Sequence, residues 1–128
     1  MRIFIVDDSV LLREELTAML SESDGVEVIG FARNASEALQ AIPLARPDVV
    51  ILDIRMPGGS GFDVLTQLKK NEPSPVVIMF TNYGDPQVRK KCLEAGADFF
   101  VDKSTEFQKV AGILEELVLQ SHPRAGDS

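Results

Sequence analysis

Asp53 ends a run of aliphatic residues, Val49-Val50-Ile51-Leu52, and Asp7 and Asp8 end a similar run, Ile3-Phe4-Ile5-Val6. A third run, Val76-Val77-Ile78-Met79-Phe80, ends in Thr81, and a fourth, Phe99-Phe100-Val101, stops two residues before Lys103. Apolar runs this short, bounded by turns, read as strands buried on both faces. Such strands build parallel sheets, and parallel sheets bind ligands at their carboxyl ends. Three acids, one hydroxyl and one ammonium are therefore expected on one rim. Carboxylates suit a hard divalent cation, Mg²⁺, which prefers oxygen ligands and keeps places for phosphate oxygens. A cation and Lys103 together would let a phosphoryl group approach the acids, and Thr81 can donate its hydroxyl hydrogen to it.

The elements that must position these groups alternate regularly. Strands are expected near Arg2–Val6, Val26–Phe31, Val49–Leu52, Val76–Phe80 and Asp98–Val101. Helices are expected near Leu11–Ser21, Ala35–Ile42, Gly61–Asn71, Pro86–Ala95 and Thr105–Leu119. Leu12, Leu16, Met19 and Leu20 form one helical stripe, and Phe107, Val110, Leu114 and Leu117 form another. Ser9 and Ser60 are expected N-caps, Thr105 with Gln108 a capping box, and Gly96 a helix stop. Pro43, Pro47, Pro57, Pro73 and Pro75 are expected between elements. This alternation predicts an α/β protein, a doubly wound parallel sheet with right-handed crossovers. In a sheet of order 2-1-3-4-5 the first and third strands are neighbours, which brings Asp7 and Asp8 beside Asp53.

With 128 residues, 45% of them apolar and 26% charged, the chain reads as one globular domain. Residues 1–120 are expected to form it, and residues 121–128 (SHPRAGDS) a disordered tail. A net charge of −7 argues against a nucleic-acid partner. No apolar stretch is long enough for a membrane span, and the first strand leaves no room for a signal peptide. The single cysteine cannot form an internal disulfide, so a cytoplasmic location is expected. Cys92 lies on the stripe Val88, Cys92, Ala95 and reads as core packing. Gly58-Gly59-Ser60-Gly61 lacks the spacing and lysine of a P-loop and reads as turn freedom. His122, the only histidine, falls in the polar tail.

The acidic pair Asp7-Asp8, the segment Leu52-Asp53-Ile54-Arg55-Met56-Pro57-Gly58-Gly59-Ser60-Gly61, Thr81, Gly96-Ala97-Asp98 and Lys103 occur in one order and spacing. Together they resemble the receiver domain of two-component response regulators, similar to the single-domain chemotaxis type. The resemblance covers about Met1–Leu119. It implies a flavodoxin-like five-stranded sheet of order 2-1-3-4-5. It implies Asp53 as phosphoacceptor, with Asp7, Asp8, Asp53 and the backbone carbonyl of Arg55 around Mg²⁺, and Lys103 beside the carboxylate or phosphoryl group. Thr81 and Phe100 would be the switch, and Arg55, Asn82 and Tyr83 would tune rates. The implied partners are a sensor histidine kinase or histidine phosphotransfer protein and a downstream protein target, for a monomer or weak dimer. Arg89-Lys90-Lys91 is a solvated helix face or, with Phe100, a docking surface.

Two departures stand out: Asn82 replaces the small residue usual after the switch hydroxyl, and Ser104 replaces the common proline after the lysine. Two other readings compete with a phosphorylatable switch. One is a pseudo-receiver scaffold, which the complete set of acids, hydroxyl and lysine counts against. The other is a phosphatase with an aspartyl nucleophile. That motif needs a second Asp two residues on, where this chain has Arg55 after Asp53 and Ser9 after Asp7.

Overall fold

A computed structural model describes residues 1–56, 59–82 and 85–121. Five strands, β1 (Arg2–Val6), β2 (Glu27–Ala32), β3 (Val49–Leu52), β6 (Val76–Thr81) and β7 (Phe99–Asp102), form one sheet in the order β2-β1-β3-β6-β7. Every pairing is parallel. This is the expected order 2-1-3-4-5. The numbering differs because a small antiparallel pair, β4 (Arg55–Met56) and β5 (Gly59–Ser60), falls between β3 and the next helix. The helices are α1 (Val10–Leu20), α2 (Ala35–Ala45), α3 (Gly61–Leu68), α4 (Pro86–Glu94) and α5 (Lys109–Ser121).

Strand side chains alternate between two cores, as the period-two pleat requires. Phe4, Val6, Val50, Leu52, Val77, Met79 and Phe100 face the core shared with α2, α3 and α4. Ile3, Ile5, Val49, Ile51, Ile78, Phe80 and Val101 face the core shared with α1 and α5. The α1 stripe enters the second core through Leu16 and Leu20, both fully buried, with Leu12 and Met19 at its edge. Val110 and Leu114 do the same from α5. Burial of each such side chain is worth about 1.5–3 kcal/mol, so the middle strands hold the rim rigidly. On the edge strand β2 the pairing passes over Ile29, so that Val28 lies opposite Ile3 and Gly30 opposite Phe4. A Cβ at Gly30 would come within 2.8 Å of the Phe4 ring.

The helix ends correct the sequence reading in three places. Pro43 lies inside α2 rather than after it, and the helix continues to Ala45. It stops at Arg46, whose left-handed backbone (φ 51) lets its N–H donate to the Ile42 carbonyl at 2.9 Å. The α3 helix ends at Leu68, not Asn71, and the Lys69 ammonium turns back to the Pro75 carbonyl and to Asp98. The α5 helix starts at Lys109, four residues after the expected Thr105, so the Thr105–Gln108 capping box does not form. Residues 102–106 use their hydrogen bonds differently. Glu106 Oε1 accepts from the Asp102 N–H, and the Glu106 N–H donates to the Asp102 carbonyl. Phe107 then reaches the core ahead of the helix, with its ring 5.6 Å from that of Phe80. Ser9 and Ser60 are N-caps as expected, and Asn34 and Asp85 cap α2 and α4. Gly96, at φ +110, follows the end of α4. Tyr83, Pro57, Gly58, His122 and the rest of the expected tail lie outside the described residues.

Candidate functional site

Parallel registry brings the strand ends level. Val6 is opposite Leu52, and Leu52 is opposite Met79, so Asp7 and Asp53 leave adjacent strands at the same height. Backbone bonds fix both: the Asp7 N–H donates to the Ala32 carbonyl and the Asp53 N–H to the Val6 carbonyl, each at 3.0 Å. Thr81 extends β6 to the same rim opposite Asp102, and the Lys103 N–H donates to the Thr81 carbonyl at 3.0 Å.

Asp7, Asp53 and Thr81 are the buried polar residues of the described chain, at 2%, 7% and 2% exposure, while Asp8 is exposed. Lys103 joins the two buried acids. Its Nζ lies 2.6 Å from Asp7 Oδ2 and 3.0 Å from Asp53 Oδ2. It also sits 5.8 Å from the centroid of the Phe80 ring. The other oxygen of Asp7 accepts from the Ser9 N–H at 2.9 Å.

One oxygen from each of Asp7, Asp8 and Asp53 can be chosen so that all lie within 4.8 Å of one another. Ligands about 2.0–2.1 Å from an octahedral magnesium lie roughly 3–4 Å apart, so a small adjustment fits this trio to the ion. Electrostatics favour the same occupant. Three carboxylates face one ammonium, and burial pushes the Asp7 carboxyl above its ordinary range. The Lys103 and Ser9 hydrogen bonds pull that value down, and the charge of Asp53 adds to the rise. A dication would relieve both the repulsion and the desolvation.

The loop after Asp53 is built by a contact that the sequence only hinted at. Gly61 opens α3, and its N–H donates to the Ile54 carbonyl at 2.7 Å. A Cβ there would sit 1.8 Å from the Asp53 carbonyl oxygen. Glycine is required here by close approach of two backbones rather than by turn freedom. The signal in the sequence is its position, directly after the N-cap Ser60. Arg55 starts β4 in this loop, opposite Ser60, with its side chain exposed.

The remaining expected residues lie around the rim or on the adjoining face. Asn82 is exposed immediately beyond Thr81. Phe100 is 8% exposed and belongs to the core beneath α4. Cys92 is also buried there, as expected, and burial pushes its thiol up. The basic run on α4 is more engaged than a solvated face. Arg89 lies over the Phe100 ring at 5.9 Å and Lys91 over the Phe62 ring at 4.5 Å, while Lys90 approaches Glu94 at 3.8 Å.

Fold and site thus define a flavodoxin-like α/β protein with a lysine-bridged acidic rim. The chain belongs to the response regulator receiver domain family, whose model matches residues 3–115. The protein-glutamate methylesterase/protein-glutamine glutaminase 1 of Carboxydothermus hydrogenoformans is 40% identical over 119 residues, covering 91% of this chain and 35% of the relative. The chain therefore spans about a third of that relative's length. The DNA-binding transcriptional activator DevR/DosR of Mycobacterium tuberculosis is 29% identical, with 91% of this chain and 54% of the relative covered. The response regulator domain of Thermotoga maritima CheB is similar in structure, with a TM-score of 0.80, 30% identity and 94% of both chains covered. The CheX–CheY–BeF3–Mg complex of Borrelia burgdorferi contains a chain with a TM-score of 0.82 and 31% identity, covering 91% of this chain and 87% of that one. Receiver domains are phosphorylation-regulated signalling switches of two-component systems that bind Mg²⁺ in an acidic pocket. Among the described residues no helix is long and apolar enough to cross a membrane.

Proposed function

We propose that residues 1–120 form a cytoplasmic phospho-accepting receiver, in which a phosphoryl group on Asp53 switches a partner-binding face. The observation that carries this reading is the Lys103 ammonium shared between Asp7 and Asp53 beside a third carboxylate. Asp7, Asp8, Asp53 and the Arg55 carbonyl would hold Mg²⁺. When bound, the ion would offset charge on the phosphoryl oxygens and on the acids.

The donor would be the phosphohistidine of a sensor kinase or of a phosphotransfer protein. An Asp53 carboxylate oxygen attacks phosphorus in line, and the phosphorus–nitrogen bond to the donor imidazole breaks. The electron pair leaves with the imidazole, which takes a proton from solvent. Lys103, already within reach of both acids, pairs with the transferred group. Thr81 donates its hydroxyl hydrogen to a phosphoryl oxygen, and Phe100 follows into the space that Thr81 leaves. Water later attacks phosphorus, restoring the carboxylate and releasing phosphate. The two forms are populations shifted by the phosphoryl group, and a downstream protein reads the difference.

The test is incubation with acetyl phosphate and Mg²⁺, followed by intact mass. One base-labile phosphate is expected on the wild type, and none on Asp53→Asn, which keeps the shape and loses the nucleophile. A base-labile phosphate at full stoichiometry on Asp53→Asn would overturn the assignment. An unmodified wild type, with acetyl phosphate and with a kinase, would instead favour a scaffold.

A further inference from the structure

The guanidinium of Arg89 lies 5.9 Å from the centroid of the Phe100 ring. It reaches across from α4 to β7 over a residue that is 8% exposed. Glu106, in the turn before α5, has its carboxyl held below the ordinary range by Lys109 first and by the Asp102 N–H next, with the charge of Arg89 contributing. The contact of Arg89 in this geometry is thus with the Phe100 ring on β7. Lys91, two residues on, sits over Phe62 on α3 and not over Phe100.

From this geometry we infer that Arg89 is a positioning residue for the switch: it holds Phe100 where this structure places it and so biases the unphosphorylated protein towards its resting state. The inference rests on the reading of Phe100 as a switch residue. Cation–π attraction fades beyond about 6 Å from the ring centroid. The present contact is at that limit, so any rotation that moves the ring further from the guanidinium breaks it. Such a contact is worth about 0.5–1 kcal/mol at exposed sites, or roughly a two- to five-fold change in a population ratio. That is enough to bias a two-state equilibrium without locking it.

The experiment follows the assigned Phe100 ring resonances in the full chain, without phosphodonor and then with beryllofluoride and Mg²⁺. In the wild type the resonances should move on adding beryllofluoride. Without it, Arg89→Met should already shift them part of the way towards the beryllofluoride position, corresponding to a two- to five-fold change in population ratio. Arg89→Lys should restore much of the wild-type position, because it keeps the cation. Lys91→Met should leave Phe100 unmoved, since its contact is with Phe62. Phe100 resonances in Arg89→Met that match the wild type in both states would overturn the inference and leave the switch reading intact. Wild-type resonances that do not respond to beryllofluoride would overturn the switch reading and the inference with it. An equal shift in Lys91→Met would show loosening of α4 as a whole and would also overturn it.

Discussion

Asp7 decides how the site behaves without metal. Its carboxyl is raised from the ordinary 3.8 mainly by burial, and the Lys103 hydrogen bond only partly reverses this. The folded state therefore holds this proton to higher pH than the unfolded chain does. Stability linked to it is complete below the ordinary carboxylate range and is lost as pH rises through the raised value. In EDTA, the melting temperature of Asp7→Asn minus that of the wild type should grow as pH rises above the ordinary carboxylate range. A constant difference would mean that Asp7 titrates as an ordinary carboxylate. Asp8 is exposed and lacks that burial, but it shares the repulsion. Asp8→Asn should melt higher than the wild type in EDTA and gain little from Mg²⁺. A ligand at about 100 times its dissociation constant adds roughly 2.7 kcal/mol, on the order of 10 °C here. The wild type should show an upward shift in millimolar Mg²⁺, reaching that gain only at saturation, and equal responses from the two proteins would rule out the proposed ligand set. Asn82 is exposed beside Thr81, with a larger side chain than the family usually places there. Asn82→Ala should accept phosphate from acetyl phosphate faster, and a stopped-flow comparison showing equal or slower uptake would end that idea.

At the scale of elements, the loop joining β3 to α3 is where rigidity matters most. Gly61 brings the start of α3 against the Asp53 carbonyl, leaving a Cβ only 1.8 Å from that oxygen. Neither backbone can yield without moving the acid. Gly61→Ala should cost on the order of 3 kcal/mol or more, whereas the same change at an open surface helix position gains about 1 kcal/mol. Urea unfolding would measure this, and a cost below about 1 kcal/mol would show that the loop relaxes freely. This contact also marks where the sequence stopped being legible. The strands were readable because each is a continuous apolar run, and the order of the sheet followed from their alternation with helices. The rim was readable because parallel strands end together, so residue order alone placed Asp7, Asp8, Asp53, Thr81 and Lys103 at one edge. Helix ends were less so, because they depend on tertiary partners. Thr105 and Gln108 carry the pattern of a capping box, yet the Asp102–Glu106 pair takes the backbone bonds first. Pro43 reads as a boundary, but α2 continues past it to Ala45. The β4–β5 pair is only two residues on each side, too short for any periodicity. Distances across the molecule, such as Arg89 to Phe100 and Lys91 to Phe62, have no signature in a linear chain.

Over the whole molecule the net charge is −7, and Arg89-Lys90-Lys91 is a local basic run on an acidic protein. The structure divides the labour within it. Arg89 and Lys91 lie over rings, whereas Lys90 is 80% exposed and only loosely matched with Glu94 at 3.8 Å. Lys90 is thus the cation most available to a partner that approaches the face shared by α4, β7 and α5. Rim charges mainly set encounter rates, while buried aromatic anchors set lifetimes. Lys90→Glu, alone or with Lys91→Glu, should therefore slow association of the phosphorylated-state partner and weaken its salt dependence, with little change in dissociation. Phe100→Ala should act differently, shrinking the affinity gap between the two phosphorylation states, because it removes the ring proposed to report the change. Binding kinetics with and without beryllofluoride, at two salt concentrations, separate these effects. If association is unchanged in the charge variants and the affinity gap survives in Phe100→Ala, the output surface lies elsewhere. Val10 and Leu11 at the start of α1, 50% and 67% exposed, are then the next apolar side chains to truncate.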